Sequence, residues 1–254
     1  MDVPSEVELQ RIVSYADELL DVAKYDEGEP CNGLMVDAGR PVTRLAASVN
    51  TSFESIRNAA AVGAELLLVH HPTVASIDRE LKERKEEALR AAGVSLYGAH
   101  AALDCHPDFG NSFALARLLR VRILGSFVEY CGGLAGAYGD VDGSFDELVE
   151  RIQATLEVDV DAWENSPTFG RVGIVAGGGA WTTYISEARS LGCDTYLTGE
   201  GSMYTKLFAK ETGTNLIIAT HYATETDGIQ ALALHLARQF QLPWEFVRED
   251  PAIQ

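Results

Sequence analysis

Lysine is scarce in this chain. Lys24, Lys82, Lys85, Lys206 and Lys210 are its only five, set against 38 acidic residues and a formal net charge of −18. A surface of that sign repels nucleic-acid phosphates, which argues against broad binding to DNA or RNA and favours divalent cations near carboxylate-lined clefts. Cys31, Cys105, Cys131 and Cys193 form no CxxC pair, so neither a zinc ribbon nor a dithiol redox motif is indicated. Free thiols in a reducing, cytoplasmic setting are expected. No apolar run approaches the ~20 residues of a membrane span. The opening MDVPSEVELQ lacks the basic-then-apolar layout of a secretory signal. The glycines at 177–179 are not followed by the Lys-Ser/Thr of a P-loop, and no GxGxxG occurs. A tight strand-to-helix turn is the simpler reading of that loop.

The 254 residues, 46% of them hydrophobic, suffice for one large domain or two small ones. Short apolar runs at 45–49, 65–70 and 94–99 alternate with amphipathic helical patterns. This β-α-β-α-β-α order predicts an α/β fold with a mostly parallel or mixed, helix-covered sheet. Right-handed crossovers would bring the carboxyl ends of its strands to one rim. The second half repeats the scheme, with strands expected at 171–175, 195–197 and 216–219, a last long helix at 224–240 and a final strand at 244–247. The four glycines of 125–137 suggest a transition. Two α/β lobes are therefore expected, 1–125 and 126–254.

Potential ligands cluster at the ends of the predicted strands. The run 65–72, ELLLVHHP, reads as a buried strand that stops at Pro72, with His70 and His71 at or past its carboxyl end. Two strand-end histidines bonded to backbone or solvent would be the plain alternative. Neighbours on a regular strand point to opposite faces, so both can serve one site only where the strand has ended. His100 and Asp104 follow the next strand, Asp104 in a loop, where a turn or cap role is the ordinary one. His221 and Glu225 are four residues apart, which places both at one end of a helix, although the helix dipole alone favours Glu in a first turn. Histidine with carboxylate is the ligand set of zinc, manganese, iron, cobalt or nickel at catalytic sites, and a carboxylate can bridge a pair of ions.

Together, His70-His71-Pro72, the HxxxD segment from His100 to Asp104, Thr198-Gly199-Glu200 and the HYATE run from His221 to Glu225 resemble the Nif-three-like dinuclear metal family, whose members are often labelled GTP cyclohydrolase 1 type 2 homologues. The resemblance covers nearly the whole chain. It implies two similar, interlinked α/β lobes with two divalent ions in the cleft between them. The implied ligands are His70, His71, Asp104, His221 and Glu225, with Asp104 and Glu225 as bridges. His100 and Glu200 are the candidate catalytic residues, as proton relays. It further implies a homohexameric ring and a small-molecule substrate, a nucleotide if the cyclohydrolase label applies, with hydrolysis at C8 of the GTP purine and release of formate. Arg40, Arg44 and Arg171 are the candidate phosphate contacts. A two-metal phosphoesterase and a metal-handling protein without turnover are the alternatives. The chain departs from the usual pattern at Asn50, where family members usually carry aspartate. It departs again at Thr220, where glycine is usual, and after Glu200, where Gly201-Ser202-Met203-Tyr204 replaces a common histidine.

Overall fold

The computed structural model describes residues 6–25, 30–73 and 78–250. The described residues form two compact units, one built from those up to His106 together with 229–250, the other from Pro107–Gly228. Each has its own sheet.

The first unit's sheet has the order β1-β4-β3-β2-β11, formed by β1 (Asn32–Val36), β2 (Leu45–Asn50), β3 (Leu66–His71), β4 (Ser95–Ala99) and β11 (Trp244–Phe246). Strands β4, β3, β2 and β11 run parallel, and β1 is antiparallel to β4. Leu66, Leu67, Leu68 and Val69 are wholly buried, as a central strand covered on both faces requires. Burying each such side chain is worth about 1.5–3 kcal/mol. Around Leu67 and Val69 pack Ile56 and Ala59 of helix α2 (Phe53–Ala61) and Leu89 of helix α3 (Lys82–Ala92). Helix α1 is Leu9–Leu20. The cap of α2 is Ser52, in a reciprocal pair with Ser55.

The second unit's sheet has the order β5-β6-β8-β9-β10-β7. Its strands are β5 (Arg122–Tyr130), β6 (Gly133–Asp140), β7 (Asp161–Trp163), β8 (Arg171–Val175), β9 (Thr195–Thr198) and β10 (Asn215–Ile218). Strands β8, β9 and β10 are parallel; β6 and β7 close either side antiparallel. Helix α5 (Asn111–Leu118) sends Phe113, Leu115 and Ala116 into the core with Leu148 and Ile152 of α6 (Phe145–Leu156). Helices α7 (Thr182–Ser190) and α8 (Met203–Thr212) cover the other core, with Ile185, Ala188 and Ala209.

Three expectations change. The glycine-rich segment 125–137 is not a transition but part of the β5–β6 hairpin, which turns at Cys131 and Gly132. Its glycines leave room for neighbours: a Cβ at Gly125 would sit 2.8 Å from the Tyr138 ring and one at Gly136 2.7 Å from the Phe127 ring. The units also divide elsewhere than at 125. Residues 107–125 join the second because α5 buries its apolar side chains there, and 229–250 return to the first because β11 pairs with β2. Finally, β7, a three-residue edge strand, was not expected. Among the described residues no helix is long and apolar enough to cross a membrane.

Candidate metal centre

In the first unit, the candidate residues lie at the carboxyl ends of β3 and β4. Strand β3 continues through His71, further than expected, because His71 still pairs with Asn50 of β2. On its other side the register with β4 ends at Val69 and Gly98. The two histidines nevertheless come together, with ring centroids 4.6 Å apart. His100 stacks on His70 at 4.7 Å. Ring nitrogens of His70, His71 and His100 lie within 4.8 Å of one another.

Hydrogen bonds orient these rings. His70, wholly buried, approaches the Ala99 carbonyl through Nδ1 at 2.8 Å. A carbonyl only accepts, so Nδ1 carries the proton and the lone pair is on Nε2. That nitrogen stands 3.6 Å from Asp104 Oδ2. His71 Nδ1 is 2.7 Å from Asn50 Oδ1. Asp104 lies not in a loop but on a single helical turn, α4 (Ala101–Asp104). The buried Asn32 holds its start, accepting at Oδ1 from the backbone N–H groups of His100 and Ala102 at 2.9 and 3.1 Å.

In the second unit, the loops after β8, β9 and β10 meet around His221. The last helix, α9 (His221–Phe240), begins three residues earlier than expected. Glu225 therefore sits one turn into it rather than in its first turn. His221 Nε2 is 3.2 Å from Glu225 Oε1, and its Nδ1 is 2.6 Å from Glu200 Oε1. Burial alone would lower the His221 pKa, but the Glu225 and Glu200 carboxylates outweigh it and push it up to about 9. Glu225 is buried, whereas Glu200 is largely exposed. The backbone of Gly177, at φ +65°, forms the wall beside Glu225 and His221. Gly199 is pressed against His221 and Thr224 in the same way. The Gly177 N–H donates to Thr224 Oγ1 at 2.9 Å. The glycine loop is thus a close-packed turn beside the histidine, as its simpler reading had it.

The candidate residues therefore form two sets within their units: His70, His71, His100 and Asp104 in one, and Glu200, His221 and Glu225 in the other. Arg171 is not available for phosphate. It donates to Asp140 at 2.7 Å and to the Leu191 carbonyl at 3.0 Å, holding β8 to its neighbours. Asn32, Asn50, Gly177 and Glu249 were not among the predicted site residues, although Asn50 was marked as a departure. Each earns its place through partners distant in sequence.

Residues 7–251 match the profile of Duf34/NIF3 (NGG1p interacting factor 3). A Deinococcus radiodurans protein named GTP cyclohydrolase 1 type 2 homolog is 35% identical over 249 residues, covering 95% of this chain and 93% of its own. An Allochromatium vinosum protein of the same name is 34% identical over 252 residues, 96% of each chain. Among solved structures, the protein ybgI, titled as of unknown function, superposes with a TM-score of 0.85 at 27% identity, covering 96% of this chain and all of its own. TTHA1606 from Thermus thermophilus gives 0.81 at 27% identity, covering 96% of this chain and 99% of its own.

Proposed function

Since the chain belongs to the Duf34/NIF3 family, we propose that His70, His71, Asp104, His221 and Glu225 hold two divalent metal ions that serve a hydrolytic reaction. The observation that carries this reading is the orientation of the imidazoles. His70, His71 and His221 each direct Nδ1 at an oxygen, from Ala99, Asn50 and Glu200 respectively. That is the arrangement by which proteins aim Nε2 at a metal and raise its basicity. Two of those Nε2 atoms face a carboxylate, Asp104 for His70 and Glu225 for His221.

The donors fit such ions. Three imidazoles and two carboxylates make a mixed nitrogen and oxygen set suited to zinc, manganese, iron, cobalt or nickel. Divalent ions bound there supply Lewis acidity and make water a stronger acid. The chain's own residues do the rest. Glu200 holds the His221 ring from its far nitrogen, which makes it a positioning residue rather than the expected relay. His100, stacked on His70, is the group placed to give or take a proton. The substrate class follows only from the name of the relatives, and a nucleotide such as GTP is its first candidate.

Two observations favour a second reading, in which the protein stores or delivers ions without turnover. Arg171, a candidate phosphate contact, is committed to Asp140, and lysines are scarce. Metal analysis decides the first part: about two ions per chain are expected, falling sharply in Asp104→Ala and Glu225→Ala. Unchanged stoichiometry in both variants would remove these assignments. Turnover assays with GTP and phosphate esters decide the second part. Bound metal without formate release leaves a phosphoesterase or the metal-handling reading. The homohexameric ring belongs to the same proposal and is read by light scattering, where a monomer would end it.

A further inference from the structure

We propose that Glu249 is a positioning residue for His71, acting through the Asn50 side chain. Glu249 is only 2% exposed. Strand β11 leads to it alongside β2, and beyond the strand the Val247 N–H still donates to the Ala47 carbonyl at 2.8 Å. Its Oε2 accepts from Asn50 Nδ2 at 2.8 Å, from the Asn50 backbone N–H at 3.2 Å and from the buried Ser48 hydroxyl at 3.4 Å. An ionised carboxylate only accepts, so the amide must turn its NH2 toward Glu249. Its oxygen then faces His71 Nδ1, at 2.7 Å. An amide oxygen also only accepts, so Nδ1 carries the proton and the lone pair of His71 is fixed on Nε2. Each step leaves one orientation, and the charge that sets all of them comes from a residue 199 positions away from Asn50. The tautomer stands on this geometry alone; its use in metal binding rests on the functional reading above.

The same chain of bonds makes residues 50 and 249 interdependent. An aspartate at 50 would accept from His71 equally well, but would set its second oxygen against the Glu249 carboxylate. A glutamine at 249 would then restore a donor between them. The test uses the full-length protein, metal-free, with long-range proton–nitrogen correlation spectra recorded at a pH of about 8, where an ordinary histidine is neutral. The His71 signals are assigned by their loss in His71→Gln. The wild type is expected to show a single His71 tautomer with the proton on Nδ1, and Glu249→Leu a mixture of both. Zinc affinity by chelator competition is expected to fall about tenfold in Glu249→Leu and in Asn50→Asp, and to recover in Asn50→Asp combined with Glu249→Gln. A single Nδ1–H tautomer retained in Glu249→Leu, or a double variant no better than Asn50→Asp, overturns the proposal. Should Glu249→Leu not fold, the double variant decides alone, because recovery is not expected of two unrelated structural defects. If the wild type binds no zinc, the spectra still decide: a tautomer that depends on residue 249 upholds this proposal while the metal reading falls.

Discussion

Gly177 lies against Glu225 so closely that a Cβ on the glycine would land on the carboxylate Oε1 and stand 3.0 Å from His221 Nε2. The position excludes side chains twice over, since its φ of +65° also lies in the left-handed region. Gly177→Ala should therefore carry about 1–2 kcal/mol of backbone strain and also displace Glu225. Gly132→Ala separates the two effects. That glycine has φ +84° with nothing within 4 Å of the added carbon. Both variants should melt earlier than the parent, but only Gly177→Ala should lose metal affinity, by about tenfold or more. Equal metal affinity in the two would show that the close approach has no part in the site.

His221 gives the site a pH dependence. Burial opposes its charge, yet Glu225 and Glu200 raise its pKa to about 9, above the ordinary histidine value of about 6.5. A raised value means that the folded state binds the proton more tightly than the unfolded one. The resulting stabilisation is fully present below the unfolded value and is lost as pH rises through the folded one. Metal-free protein should therefore lose part of its stability between about 6.5 and about 9, and Glu200→Gln should shrink that loss. Because a ligand imidazole must be neutral at the coordinating nitrogen, metal uptake near pH 8 should release a proton. Calorimetry in buffers of different ionisation enthalpy measures it, and uptake with no proton release would contradict the raised value.

The backbone at Thr220 carries strain at the mouth of the same helix. Its φ is +40°, which a β-branched residue rarely adopts. Its hydroxyl accepts from the Ala223 N–H at 3.3 Å, a weak cap for α9. Glycine relieves about 1–2 kcal/mol of left-handed strain, whereas replacing a threonine cap by glycine costs only a few tenths. Strain is the larger effect, so Thr220→Gly should raise the melting temperature. A lower one would show that the hydroxyl, which lies beside His221 in sequence, contributes more than a cap.

How much of this was legible in the sequence depends on the range of the interactions. Strands β2, β3 and β4 could be read because a central parallel strand must be apolar throughout, and the polar residues that end each run marked the rim. His70 and His71 fell at such an end, Asp104, His221 and Glu225 in the segments just after one, and the family resemblance they carried is borne out by the match over residues 7–251. The β5–β6 hairpin could not be read, because its glycines disfavour strands until the Tyr138 and Phe127 rings that need their space are known. A division at one point along the chain could not anticipate that β11 returns to β2. For the same reason the roles of Glu249, Asn50 and Asn32 were illegible: their hydrogen bonds join segments about 20 to 200 residues apart.

Two buried asparagines offer the sharpest contrast between holding the fold and holding the site. Asn215 accepts at Oδ1 from the N–H groups of Asn165 and Ser166, at 2.9 and 2.8 Å, and pins that loop to β10. Asn32 does the same for His100 and Ala102, and so sets where α4 begins and where Asp104 stands. Replacing either by alanine leaves two backbone donors without their acceptor, at about 1–3 kcal/mol for each one that water cannot reach. Both Asn215→Ala and Asn32→Ala should therefore lower the denaturant midpoint by similar amounts. Only Asn32→Ala should also weaken metal binding, because only Asn32 holds the segment that carries His100 and Asp104. Asn32→Asp keeps the acceptor oxygen and should recover most of the affinity. If Asn215→Ala weakens metal binding as much as Asn32→Ala, the loss tracks stability, and the assignment of Asn32 to the site fails.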